Sequence, residues 1–136
     1  MARILAIDFG KKRCGLAVTD PEQIIATTLG YEPTDNLMQY LTTYFGKENV
    51  EKVVLGYPTK QDGSDTDSTP LIRQFKALFE KHFPDKPIVL HDEANTSQMA
   101  VQAMVLGGMR KKKRQQKGNV DAVAATIILQ SYMESQ

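Results

Sequence analysis

Acidic residues at three places in this chain sit where a carboxylate is costly or out of keeping with its surroundings. Asp8 ends the apolar run Arg3 to Asp8, RILAID. Such a run fits a strand covered on both faces, near the centre of a sheet. A carboxylate at its end must be hydrogen-bonded, paired or metal-bound to offset its desolvation. Strand ends are also where open α/β sheets bind ligands. The plainer alternative is an Asp that makes a turn with Gly10. Asp92 and Glu93 follow a second apolar strand in the same way. Successive side chains alternate between faces, so one of the two faces Asp8; in isolation they read better as surface acids in a loop before a helix. Asp121 falls in the first turn expected of the last helix, among Val120, Ala122, Val123, Ala124 and Ala125. Favourable placement against the helix dipole accounts for it alone, but an exposed acid needs no such apolar company. The small alanines would let this helix lie close to the sheet. Taken together, three separated carboxylates at the edges of buried elements are what a divalent-metal site needs. Hard ions such as Mg²⁺ take oxygen ligands and use substrate phosphates as further ones. Two such ions about 4 Å apart stabilise both the attacking and the leaving oxygen of a phosphodiester.

A phosphodiester needs cations beside it. Arg110, Lys111, Lys112, Lys113 and Arg114, with Lys117 close behind, hold six of the 17 Lys and Arg and include no acid. Gly107 and Gly108 precede the run and Gly118 follows it. A Gly-bounded basic run reads as a loop more readily than as a helix. Its function would be contact with a nucleic-acid backbone; the alternative is a solvated charge run. The formal net charge of +1 is therefore a cancellation between one basic loop and a net acidic remainder.

The elements that must position these residues follow from the apolar periodicities. Arg3 to Asp8 is a strand, Lys11 to Arg13 a turn, Gly15 to Thr19 its hairpin partner, and Ile24 to Thr28 a third strand. Asp35 could cap a helix from Asn36 to Phe45, with Leu37, Tyr40, Leu41, Tyr44 and Phe45 on one face. Val50 to Gly56 is a strand, and Tyr57 to Ser68, with Pro58 and Asp62-Gly63, is a loop. Pro70 opens a helix to about His82, with Leu71, Phe75, Leu78 and Phe79 on one face. A short strand, Ile88 to Leu90, comes next, then a helix capped by Asn95 or Thr96 and reaching Leu106. Asn119 caps the last helix, Val120 to Met133. The order β-β-β-α-β-α-β-α-loop-α implies an α/β fold, a mixed sheet with helices packed on its faces.

The 136 residues suit one domain and are ample for a core. A single Cys excludes an intramolecular disulfide and a cysteine zinc cluster. The apolar runs are too short to span a bilayer and the N-terminal one too short for a signal peptide, so no membrane role and a cytoplasmic location are expected. His82 and His91 read as structural or solvated, and Cys14 as a packed thiol. Asp8-Phe9-Gly10 matches a kinase D-F-G string without the rest of the kinase set.

The ordered motifs resemble the YqgF/RuvX family. Asp8-Phe9-Gly10-Lys11-Lys12-Arg13-Cys14-Gly15-Leu16-Ala17 resembles its opening D-x-G-x-K-R-x-G-x-A. Val54-Leu55-Gly56-Tyr57-Pro58 with Asp62-Gly63-Ser64, then Leu90-His91-Asp92-Glu93, then Lys117 to Ala125 follow in the family's order. The resemblance implies a single RNase H-like domain over residues 1–136, a five-stranded mixed sheet flanked by helices, with a flexible basic loop at about 107–118. It implies a metal-dependent nuclease that processes the 5′ end of pre-16S rRNA during ribosome biogenesis, using Mg²⁺ or Mn²⁺. Asp8, Glu93 and Asp121 would be the catalytic, metal-holding carboxylates; Lys12, Arg13 and Lys117 fall on the family's basic positions. The alternatives are a Holliday junction resolvase acting on branched DNA, and a non-catalytic RNA-binding ribosome-assembly factor. A monomer suffices for the first reading, whereas a resolvase needs a homodimer. One departure stands out: Ala94 replaces the family's usual Arg after the Asp-Glu pair, which bears on substrate affinity more than on the carboxylates.

Overall fold

A computed structural model describes residues 2–57, 69–92 and 117–135, with residues 57, 69, 92 and 117–121 described by backbone alone. Five strands form one mixed sheet: β1 (Arg3–Asp8), β2 (Arg13–Thr19), β3 (Ala26–Pro33), β4 (Val50–Tyr57) and β5 (Ile88–Asp92), in the order β3-β2-β1-β4-β5. The β1–β2 and β2–β3 pairs are antiparallel; β1–β4 and β4–β5 are parallel. The apolar RILAID run is therefore the central strand, as its composition requires. Three helices are described: α1 (Leu37–Lys47), α2 (Thr69–His82) and α3 (Lys117–Glu134).

Strand alternation divides the core in two. Leu5 and Ile7 of β1 point to one face, where they join Leu16, Leu41, Leu55, Ile72 and Phe79. Ile4 and Ala6 point to the other face, against Ala125, Ile128, Leu129 and Tyr132 of α3. The α1–α2 side is dense in rings: Phe79 lies 4.9 Å from Phe83, 6.1 Å from Phe75 and 6.2 Å from Phe45. The α3 side is instead lined by small residues, with Ala6, Ala17, Ala122, Ala124 and Ala125 all buried. Small residues on both partners bring this helix close to the strands.

Several boundaries differ from the sequence expectation. The third strand begins at Ala26, not Ile24, and runs on to Pro33. Ile24 and Ile25 belong to the β2–β3 connection, where the Asp20 carboxylate accepts their backbone N–H groups. Asp35 does not cap α1; it sits in a 3-10 turn, Thr34–Asn36, and Asn36 precedes the helix without a side-chain cap bond. The buried stripe of α2 is Ile72, Phe75 and Phe79, while Leu78 is exposed. The last helix begins at Lys117, so Asn119 is a helical residue and Asp121 lies in the second turn. The dipole account of Asp121 loses force there, since the effect fades beyond the first turn. Arg13 is already in β2, and β5 extends to Asp92. The helix expected to reach Leu106 and the loop from Pro58 to Ser68 lie outside the described residues.

Candidate catalytic edge of the sheet

The parallel strands β1, β4 and β5 all end at one edge of the sheet, where Asp8 closes β1 and Asp92 closes β5. Asp8 closes β1 and pairs with Gly15 of β2. On the other side, Ile7 pairs with Leu55, which places Asp8 beside Gly56 of β4. Gly56 in turn pairs with His91 of β5. One row across four strands thus reads Gly15, Asp8, Gly56, His91. Its single acid is flanked on both sides by glycine, and both glycines are buried. A glycine inside a strand weakens it and marks a close approach of backbone or ligand. Here the two residues directly opposite Asp8 in the ladder carry no side chain. Sequence reading caught Gly15 and Gly56 only as motif letters; their adjacency to Asp8 depends on long-range register.

Alternation assigns the face. Asp8 shares parity with Ile4 and Ala6, which pack toward α3. Asp8 is half-buried. In β5 the odd-numbered residues also face α3: Val89 packs on that cluster, and His91 accepts or donates a 2.9 Å hydrogen bond with the Ser131 hydroxyl. The His91 ring also stands edge-on to Tyr132, at 5.9 Å between centroids. His91 thus ties β5 to α3, in keeping with the structural role expected of it. Asp92 is the last residue of β5, opposite Tyr57. Glu93 lies outside the described residues. Asp121 occupies the helix position one turn before Ala125 and two turns before Ile128, both of which are buried against the sheet. Among the described residues no group of three His, Cys, Asp or Glu side chains assembles; of the expected trio, only the Asp8 side chain is described.

The turn after Asp8 is tightly bound. The Gly10 carbonyl accepts the Thr34 hydroxyl at 2.6 Å, and the Thr34 N–H donates to the Lys12 carbonyl at 3.0 Å. Cys14, fully buried, sets its Sγ 3.5 Å from Thr34 Oγ1, as a packed thiol should. This lacing holds Lys11 and Lys12 out in solvent next to the acid, with Arg13 half-buried behind them. Thr34 was not anticipated from sequence, being 24 residues away from the turn it holds. Lys117 opens α3. The basic run Arg110 to Arg114 lies outside the described residues. Among the described residues, no helix is long and apolar enough to cross a membrane.

A central-strand aspartate, two antiparallel strands on one side and two parallel strands on the other define an RNase H-like fold, the architecture of junction-resolving nucleases. RuvC of T. thermophilus, solved in complex with Holliday junction substrate, superposes with a TM-score of 0.57 at 16% identity, covering 99% of this chain and 95% of that one. The Fowlpox virus resolvase, solved with substrate Holliday junction DNA, gives 0.54 at 15% identity, covering 98% and 99%. At the level of sequence, the family model described as "RuvX: Holliday junction resolvase" matches residues 2–135, and the chain belongs to the RuvX family. A relative from Amoebophilus asiaticus, described as "Putative pre-16S rRNA nuclease", is 48% identical over 135 residues, covering 99% of this chain and 96% of its own length. A relative of the same description from Flavobacterium johnsoniae is 46% identical over 136 residues, covering 100% and 99%.

Proposed function

We propose that this chain is a cytoplasmic nuclease that hydrolyses phosphodiester bonds in precursor 16S rRNA, with Asp8, Glu93 and Asp121 as its catalytic carboxylates. The observation that carries the reading is the placement of Asp8. It ends the central strand, on the α3 face, between two glycines of the neighbouring strands. Full-length relatives described as pre-16S rRNA nucleases favour RNA.

The other two acids are assigned from their places in the sequence. Glu93 is the next odd residue after Val89 and His91. Asp121 lies on the helical stripe of Ala125 and Ile128. An all-carboxylate oxygen donor set suits Mg²⁺ or Mn²⁺. Such ions, when bound, supply an activated water and neutralise charge on the reacting phosphate. The chain's own residues do the rest. Asp8 would hold such an ion at the sheet edge, and the bound turn at Gly10 keeps that carboxylate in register with the lysines beside it. Lys12, Arg13, Lys117 and the run Arg110 to Arg114 neutralise flanking phosphates and so position the strand without reading its bases.

Asp8→Asn tests the assignment, since it keeps the shape and removes the charge. On a defined precursor RNA, in a preparation free of contaminating nuclease, cleavage should vanish while thermal unfolding stays within a few degrees. Undiminished cleavage would remove Asp8 from the mechanism. Wild-type protein that binds the RNA without turnover would instead support the assembly-factor reading, for which Ala94 is the motive.

A second reading has its own support: both fold neighbours were solved with Holliday junctions, and the family model carries the resolvase description. Side-by-side cleavage of precursor RNA and a four-way junction separates the two. Symmetric paired nicks in the junction with the RNA intact would establish the resolvase.

A further inference from the structure

At the end of the sheet away from Asp8, the β2–β3 turn holds two isoleucines in solvent by a device that nothing in phosphodiester chemistry requires. The Asp20 carboxylate accepts the N–H groups of Ile24 at 2.7 Å, Ile25 at 2.8 Å and Glu22 at 3.3 Å. Gln23 takes a left-handed backbone, φ 59°, and its side-chain amide donates to the Ala2 carbonyl at 2.9 Å and to the Glu51 carboxylate. The turn is therefore pinned from inside and from β4. Yet Ile24 is 65% exposed and Ile25 63%, the two most exposed large apolar residues among those described. Scattered single apolar residues on a surface need no explanation; two neighbours held rigidly beside a concavity do. That concavity, about 580 Å³, is lined by both isoleucines, Gln23, Gln130, Met133 and Glu134.

Charge chooses the occupant. Glu134 lines the hollow, Glu22 and Glu51 stand exposed beside it, and no Lys or Arg is among the lining residues. A nucleic-acid backbone would be repelled. A second copy, meeting this patch across a two-fold axis, would set the same acids against one another. Pairing of two β3 edges is also obstructed, because the β2–β3 register shifts between Leu16 and Ala17 and Gly30 adopts φ 108°. We propose that this patch docks a basic protein segment, one that seats apolar side chains on Ile24, Ile25 and Met133 and sets flanking Lys or Arg against Glu22, Glu51 and Glu134. Thr19, the residue before Asp20, bonds the backbone of Ile4 near the start of β1, about 13 Å along the strand from Asp8. Protein partner and nucleic acid can therefore be held together.

The test uses the full chain and two fluorescein-labelled peptides, one alternating Leu with Lys and the other alternating Leu with Glu, followed by fluorescence anisotropy. Burying even one isoleucine is worth about tenfold or more in affinity. The Lys peptide should bind at least about tenfold tighter than the Glu peptide. Ile24→Ser with Ile25→Ser should lose that binding, and Glu22→Lys with Glu134→Lys should reverse the preference. Both double variants should unfold near the wild-type temperature and keep wild-type cleavage, so failure here is separable from failure of the nuclease reading. Equal binding of both peptides, no binding of either, or binding that survives the serine variant would overturn the proposal. So would a concentration-dependent dimer, seen by light scattering, that the serine variant abolishes, or competition by an RNA oligomer for the peptide.

Discussion

Gly10→Ala asks whether the turn after β1 is built around the absence of a side chain. A Cβ at Gly10 would stand 2.5 Å from the backbone carbonyl oxygen of Arg13, where ordinary contact begins at 3.4 Å. The obstacle is main chain and cannot swing aside. It is also held, because Arg13 pairs with Pro33 in the β2–β3 ladder. Gly10 can retreat only by straining the Thr34 hydroxyl bond at 2.6 Å, and with it the Thr34-to-Lys12 bond at 3.0 Å. Each such bond contributes about 0.5–1.5 kcal/mol net, and forced overpacking costs about 1–3 kcal/mol. The lost flexibility of the unfolded chain returns about 0.4–1 kcal/mol. The expected loss is about 1–3 kcal/mol, read as a lower urea midpoint at unchanged slope. Asp8 is two residues away, and a displacement of about 1 Å at a reacting group costs about a hundredfold in rate. Cleavage of precursor RNA should therefore fall by about that factor under conditions where the variant is fully folded. In a Thr34→Val background the glycine change should cost less than it does alone, because the two share the same bond. Stability within about 0.5 kcal/mol of wild type would refute the steric argument. Destabilisation with full cleavage would refute the link between the turn and the carboxylate.

Other outcomes follow from single observations. Phe79→Ala, which empties a fully buried ring site packed on Phe45, Phe75 and Phe83, should cost about 3–5 kcal/mol in urea unfolding. The Ile25 N–H above all, with those of Ile24 and Glu22, holds the Asp20 carboxyl below the usual carboxylate range. Its charged form is favoured in the folded state, so its contribution is complete above about pH 4 and is lost as pH falls through the depressed value. Carboxyl chemical shifts should show Asp20 titrating below the ordinary aspartate value, and Asp20→Ala should remove the acid-side loosening of the turn. Lys12→Ala should weaken RNA binding whatever its sequence and lower the salt slope by about one ion.

Much of this fold was legible because local pattern and tertiary role agree. The RILAID run can be satisfied only in a strand covered on both sides, and it is the central strand. Elements that misled are those where a local signal had a competitor. Ile24-Ile25 reads as the start of a strand, but the Asp20 carboxylate captures both backbone N–H groups first and delays β3 to Ala26. The edge strand β3 carries Gly30, Glu32 and Pro33, which no alternation announces, so its far half went unread. Asn119 has the chemistry of a cap, yet α3 begins two residues earlier. Of the proposed site, the strand-end position of Asp8 was legible from the apolar run before it. The glycines beside it were not, since no local signal tells that residues 8, 15 and 56 meet.

Asp8 and Asp20 show what separates the acid proposed as catalytic from a structural one. Asp8 closes the apolar run RILAID, and Asp20 follows the apolar strand GLAVT. In the fold they lie at opposite ends of the sheet. Asp20 follows the antiparallel strand β2, at the end where β1 begins, and its oxygens are committed to three backbone N–H groups of its own turn. An oxygen saturated in this way stabilises a turn and has little capacity left for a ligand. Asp8 lies at the carboxyl ends of the parallel strands β1, β4 and β5, where open sheets gather their ligands. Its directly opposed neighbours across the ladder are both glycines. Exchanging the two environments is therefore a stricter test of the site than deleting either acid. Filling the row with Gly56→Val should abolish cleavage while Asp8 itself is intact, whereas Asp20→Ala should leave cleavage unchanged and loosen only the turn that carries Ile24 and Ile25.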